Sequence, residues 1–144
     1  MPQQVHGSIN VFIVNDGKVL LGRRINTGWM DGHLCPPGGH IEPQESPRQA
    51  ALREIQEELG LELQTADLEF LCVAARNTSP NQYVAYEFIV KRHGLKIINN
   101  EPEKCSELVW VATNKLPDDV VPEFRSIIEQ CIVGNQNYLE LGFS

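Results

Sequence analysis

Three of the eight residues in REIQEELG, Arg53 to Gly60, are glutamates: Glu54, Glu57 and Glu58. On a helix they stand at i, i+3 and i+4, where like charges repel by about 0.2–0.5 kcal/mol per pair. Hard divalent cations take oxygen ligands, and carboxylates on adjacent helical turns can hold one or more of them. The competing reading is an ordinary solvated face. Glutamates near a helix C-terminus are also mildly unfavourable against the dipole, which tilts the balance toward a compensating cation.

A helix that carries these groups is well marked in the sequence. Ser46 is a good N-cap, Pro47 suits the first helical position, and Gln49 completes a Ser-x-x-Gln capping box. Gly60 suits the C-terminal stop. At 100° per residue, Ala51, Leu52, Ile55 and Leu59 form an apolar arc facing the core. The glutamates fill the arc beside it, with Glu58 nearest the core edge. Arg53 flanks Glu57 and can pair with it at i+4.

Around this helix the chain reads as strands and one further helix. SINVFIV (Ser8–Val14) is nearly all apolar, as in a strand covered on both faces. Asn15-Asp16-Gly17 signals a hairpin, and KVLLGRR (Lys18–Arg24) returns as the second strand. The Gly- and Pro-rich segment from Ile25 to His40 reads as loop with at most short strands. Leu68–Arg76 and Gln82–Val90 pair as strands, and Glu107–Ala112 forms a shorter one. Pro122 opens a second helix with Phe124, Ile127, Ile128, Cys131 and Ile132 on one face. The tail NQNYLELGFS has no clear assignment. This order predicts an α/β fold with a sheet between helices.

The 144 residues suit one domain with a real core. Twelve Lys and Arg against nineteen Asp and Glu give a net charge of -7, which argues against a large nucleic-acid surface. MPQQVHGSIN lacks the basic segment and apolar run of a signal peptide, and no apolar run is long enough for a membrane span. Cys35, Cys72, Cys105 and Cys131 form no CxxC pair and read as reduced thiols of a cytoplasmic protein.

From Gly39 the sequence runs Gly, five residues, Glu45, seven residues, Arg53-Glu54-Ile55-x-Glu57-Glu58-x-Gly60-Leu61. This resembles the Nudix box of the Nudix (MutT-like) hydrolases, GX5EX7REUXEEXGU with U a bulky aliphatic residue. All nine specified positions match over the 23 residues 39–61. The resemblance implies a Nudix-type α/β/α sandwich with a mixed β-sheet between helices, one Nudix domain spanning 1–144. It also implies a Mg²⁺- or Mn²⁺-dependent pyrophosphohydrolase acting on a small nucleotide, with the choice between monomer and homodimer open. Glu57 and Glu58 are then the principal metal ligands. Glu54 is a ligand or the group that orients or deprotonates the attacking water. Arg53 positions the catalytic glutamates, Glu45 assists at the metal site, and Gly38 and Gly39 let the backbone turn tightly. The family often adds a carboxylate from outside the box. Among Glu101, Glu103 and Glu107, the expectation falls on Glu103 or Glu107, with Glu103 preferred.

Subclass markers narrow the substrate by their absence. A proline of the ADP-ribose hydrolases is expected where Arg76 stands, and a tyrosine of the dinucleoside-polyphosphate hydrolases at Asn77–Ser79. The markers of NADH and coenzyme A hydrolases are missing as well. A nucleoside triphosphate is the first expectation. A nucleotide sugar or ADP-ribose-type diphosphate is the second, and a non-catalytic ligand-binding module the third. An RNA-decapping role lacks support from the charge balance. Arg23 and Arg24 can grip phosphate, Trp29 and Met30 can meet a base, and Asp118 and Asp119 can read base amino groups. Arg24 and Trp29 are the preferred substrate-binding pair. For each of these side chains a structural role in loop or strand end is the alternative.

Overall fold

The computed structural model of the chain describes residues 2–144. Strand β1 spans His6–Asn15 and β2 Lys18–Arg24. Asp16 and Gly17 join them with positive φ at both positions (51° and 73°), the geometry of a two-residue hairpin turn. The expected loop that follows contains two short strands, β3 (Leu34–Cys35) and β4 (Gly38–His40). Helix α1 covers Pro47–Leu59, then come β5 (Glu69–Asn77), β6 (Gln82–Lys91) and β7 (Cys105–Ala112). Helix α2 (Pro122–Ile127) continues as a wider π-helical turn over Ile128–Val133, and β8 covers Tyr138–Leu141.

The sheet is mixed, in the order β3-β2-β1-β6-β5-β8. Strands β1 and β6 run parallel from His6↔Tyr83 to Val14↔Lys91. Strand β2 pairs with β7 along its length, while on its other edge it meets β1 only at Val14↔Val19 and Asn15↔Lys18 and then takes β3 at Gly22 and Arg23. The vacated edge of β1 takes β4 instead, through Ser8↔His40, Ile9↔Gly39 and Asn10↔Gly38. A cleft opens where β2 and β4 separate, and α1 borders it.

Side-chain alternation explains why β1 is apolar on both faces. Ile9, Val11 and Ile13 pack with Ile55 and Leu59 of α1, and Phe12 packs with Phe124, Ile127 and Ile128 under α2. Both helices therefore bury their stripes against opposite faces of one sheet. The buried face of α1 comprises Ala50, Ala51, Ile55 and Leu59, with Leu52 partly buried at its rim. Strand β8 was not evident from the sequence. Only Leu139 of its four residues is buried, so its alternation is too short to see, and it is placed by parallel pairing with β5. Among the described residues no helix is long and apolar enough to cross a membrane.

Candidate active site

Helix α1 is held at both ends. Ser46 Oγ accepts from the Gln49 N–H (3.1 Å) and Gln49 Oε1 accepts from the Ser46 N–H (2.8 Å). At the other end Gly60 adopts φ 65°, the left-handed conformation glycine takes without strain. The segment after β6 then satisfies the last carbonyls of the helix. The Asn100 N–H donates to Glu58 O, its side-chain amide to Glu57 O, and the Ile98 N–H to Leu59 O. This docking carries Glu101 into the cleft beside Glu54, Glu57 and Glu58.

Arg53 ties the acidic group together. Its Nε and Nη2 donate to the two oxygens of Glu45 (2.7 and 2.9 Å), and its Nη1 to Glu54 (2.9 Å) and Glu57 (3.4 Å). Nη2 also reaches the His40 carbonyl. This fork holds the Glu45 carboxyl down to about 2, assisted by the Glu42 N–H. Glu57 is the exposed member of the set, whereas the Glu54 side chain is 15% exposed.

Glu58 lies deepest, and its Oε2 accepts from the Gly38 N–H at 3.1 Å. Burial pushes its carboxyl up to about 9, and the contact with Glu54 and the charge of Glu101 add to the effect. Glu101 is raised as well, first by burial. Among the described residues no three acidic, His or Cys side chains converge closely enough to ligate one ion, because Arg53 draws Glu54 and Glu57 while Gly38 draws Glu58. The donor set itself suits a hard cation: four carboxylates share one cleft, and burial and mutual repulsion raise the deepest, a penalty that a bound cation would relieve.

The cleft has a volume of about 510 Å³, and Arg23, Arg24 and Lys104 line it together with the carboxylates. Arg23 is committed to Glu107 and Asp119 (2.7 Å each) and to the Gly32 carbonyl. It acts as a strut between β2 and its neighbours, and Asp119 and Glu107 are its anchors. Arg24 donates Nε to the Trp29 carbonyl (2.8 Å), and its guanidinium lies 4.9 Å from the Trp29 ring centre. It lines this cleft and also a second cavity of about 590 Å³, walled by Trp29, Gly39, Arg76, Tyr83 and Phe124. Of the expected pair, Arg24 thus stands where the two spaces meet and Trp29 walls only the second.

The expectation for the extra carboxylate changes. Glu103 is exposed and does not line the cleft, and Glu107 is paired with Arg23. Glu101 takes the candidate position, since the caps on α1 fix its place. The sequence carries no local signal for this choice, because Asn100 and Ile98 donate to carbonyls of α1 some 40 positions earlier.

Gly38 and Gly39 are small for different reasons. A Cβ at Gly38 would lie 2.3 Å from the Ile9 carbonyl oxygen and 2.3 Å from Asn10 Oδ1, so β1 itself excludes it. A Cβ at Gly39 would meet the Glu54 carboxylate at 2.4 Å, the far end of a flexible side chain. Gly39→Ala is therefore expected to fold with little loss of stability while displacing Glu54, lowering kcat about tenfold. Gly38→Ala is expected to lose more stability, by about 1–3 kcal/mol. Thermal unfolding and steady-state kinetics of both variants check the contrast. Equal effects on stability would defeat it.

With this geometry in place, three relatives are informative. A crystal structure of the MutT NUDIX hydrolase from Burkholderia pseudomallei superposes with a TM-score of 0.79 at 28% identity, over 89% of this chain and 98% of that one. An RNA pyrophosphohydrolase of Erythrobacter litoralis (strain HTCC2594) is 29% identical over 78% of this chain and 85% of its own length. The CTP pyrophosphohydrolase of Escherichia coli (strain K12) is 44% identical over 54 residues, 38% of this chain. The matched part spans only 40% of that Escherichia coli protein. The NUDIX domain family model matches residues 5–131, which take in β1 to β7, α1, α2 and the carboxylate cleft, and the chain belongs to the NUDIX family.

Proposed function

We propose that this chain is a divalent-metal-dependent nucleoside triphosphate pyrophosphohydrolase. The observation that carries the reading is the cleft in which Glu54, Glu57, Glu58 and Glu101 share a space with Arg24 and Lys104, next to a second cavity of nucleoside size. Water attacks one of the two phosphorus atoms that flank the α–β bridging oxygen, the bond from that atom to the bridging oxygen breaks, and a nucleoside monophosphate and pyrophosphate leave as the water gives up a proton. Glu57, Glu58, Glu54 and Glu101 would hold Mg²⁺, or Mn²⁺ in its place. When bound, such an ion neutralises the polyphosphate and lowers the pKa of water. Arg24 and Lys104 supply donors to phosphate oxygens. Glu54, oriented by Arg53, directs or accepts the proton of the attacking water. Trp29, 40% exposed, offers apolar surface to the base.

A second reading, removal of pyrophosphate from the 5′ end of RNA, is favoured by the name of the Erythrobacter litoralis relative. The net charge of -7 weighs against it, since long RNA is held through its phosphates. The deciding experiment compares kcat/KM on the four nucleoside triphosphates, nucleotide sugars and 5′-triphosphorylated RNA at one salt concentration, with Mg²⁺ and with excess EDTA. The triphosphates are expected to be preferred and EDTA to abolish turnover. Trp29→Ala is expected to raise KM about three- to tenfold with little change in kcat, because stacking is shared by ground and transition states. Preference for RNA, turnover in EDTA after metal stripping, or unchanged Trp29→Ala kinetics would each refute the part it addresses.

A further inference from the structure

The centre of β6 holds a carboxyl group that the proposed chemistry does not use. Glu87 has no accessible surface, and one of its oxygens, Oε2, has no hydrogen-bond partner. Its neighbours across the sheet are Asn10 on β1 and Cys72 on β5, beneath the apolar face of α2, and the charge of the buried Arg76 on β5 is close enough to favour its ionised form. A carboxyl there, with one oxygen unpaired, opposes folding, and a hydrocarbon of similar size would pack without that penalty. Groups that lower stability are retained most readily where they serve the site.

Its single hydrogen bond leads to the cleft. Glu87 Oε1 accepts from Asn10 Nδ2 at 3.0 Å. Asn10 pairs with Gly38 across β1 and β4, and its Oδ1 lies so close to Gly38 that a Cβ would stand 2.3 Å away. The Gly38 N–H in turn donates to Glu58 Oε2 at 3.1 Å. Asn10 has just two amide ends, and with Nδ2 turned to Glu87 the carbonyl end faces Gly38.

We infer that Glu87 is a positioning residue: it fixes the Asn10 amide against Gly38, which keeps the Gly38 N–H on Glu58 and that carboxylate in its place in the cleft. The functional consequence rests on the hydrolase reading above, whereas the structural link does not. Glu87→Met removes the acceptor at similar volume. Glu87→Gln keeps an oxygen acceptor for Asn10 Nδ2. Asn10→Ala cuts the same link from the other side.

The test measures the Gly38 backbone amide by ¹⁵N NMR in the metal-free protein, together with Tm, kcat and KM on the best nucleotide substrate. Glu87→Met is expected to stay folded, with a Tm set by the balance between removing an unpaired buried oxygen and losing its attraction to Arg76, and to shift the Gly38 amide resonance. It should lower kcat about tenfold with KM within about twofold, as for other groups that orient a metal ligand. Glu87→Gln is expected to restore most of the rate and the parent Gly38 resonance. Asn10→Ala is expected to reproduce the Gly38 shift, and it decides the question if the Met variant does not fold. An unmoved Gly38 amide in the folded variants, or equal rates for Met and Gln, overturns the inference. If the parent hydrolyses no nucleotide, the proposed function fails, and the Gly38 amide still decides the positioning link.

Discussion

Glu58→Gln is expected to lose about 10²–10³-fold in kcat while raising the Tm of the metal-free protein at alkaline pH. The two effects have one origin. Glu58 is the deepest carboxyl of the cleft, and burial first, then Glu54 and Glu101, push it up to about 9. Its unfolded value lies near 4.5. Between those values the folded protein holds a proton that the unfolded chain has released. Stability therefore falls as pH rises through this window, by up to about 1.4 kcal/mol per pH unit. A neutral amide removes the slope together with a ligand. Thermal unfolding of the metal-free parent and variant from pH 5 to 9 reads this directly. The parent is expected to lose stability across the range, and the variant with a shallower slope, left to Glu87, pushed up to about 7 by burial, to Glu101 and, toward pH 9, to the thiols that burial raises. Near-parental turnover at saturating Mg²⁺ would show that Glu58 is only a structural acid. A variant with the parent's slope would show that its proton is not held by the cleft.

Arg53→Ala is expected to cost both stability and rate, in contrast to the Glu58 variant. One guanidinium bridges Glu45, Glu54 and Glu57 and reaches the His40 carbonyl. The side chains of Glu45 and Glu54 are 13% and 15% exposed, so its removal leaves two largely enclosed carboxylates without their cation, Glu45 keeping only the Glu42 N–H. The expected loss is about 2–3 kcal/mol, below the range for fully buried pairs. The rate is expected to fall about 100-fold, because Glu54 and Glu57 lose their orientation. Arg53→Lys should recover little, since an ammonium cannot span Glu45 with two parallel bonds and still reach Glu54. The acid limb should move too. Glu45 is held down to about 2, so its contribution is present above about 4.5 and lost as pH falls toward 2. Arg53→Ala removes that contribution, and the stability of the variant is expected to vary less over this acid range. Urea unfolding at pH 7 and pH 3, with kcat measured on the same preparations, checks all three points. A Lys variant with parental stability and rate would reduce Arg53 to a simple counter-charge.

What the sequence determined by itself was mostly local. Helix α1 was legible from Ser46 to Gly60 because its caps are made by residues within four positions of one another. The glutamate face was legible because helical periodicity alone sets neighbours at i+3 and i+4. The turn at Asp16-Gly17 needed only two residues with positive φ. The box motif then identified the family, a resemblance that local physics does not supply.

Only the tertiary structure decided which distant groups meet these. Glu101 rather than Glu103 enters the cleft because Asn100 and Ile98 cap the carbonyls of a helix some 40 positions earlier. Arg23 and Asp119 looked available for substrate, yet they bind each other across 96 positions. Glu87 meets its partner Asn10 across 77 positions. Strand β8 carries too few residues to show a period and takes its place from the open edge of β5. In each case the partner is chosen by sheet register and by the need of buried polar groups for hydrogen bonds. Those requirements act through space, after the chain has folded back, and leave no pattern at the scale of a helical turn or a strand repeat.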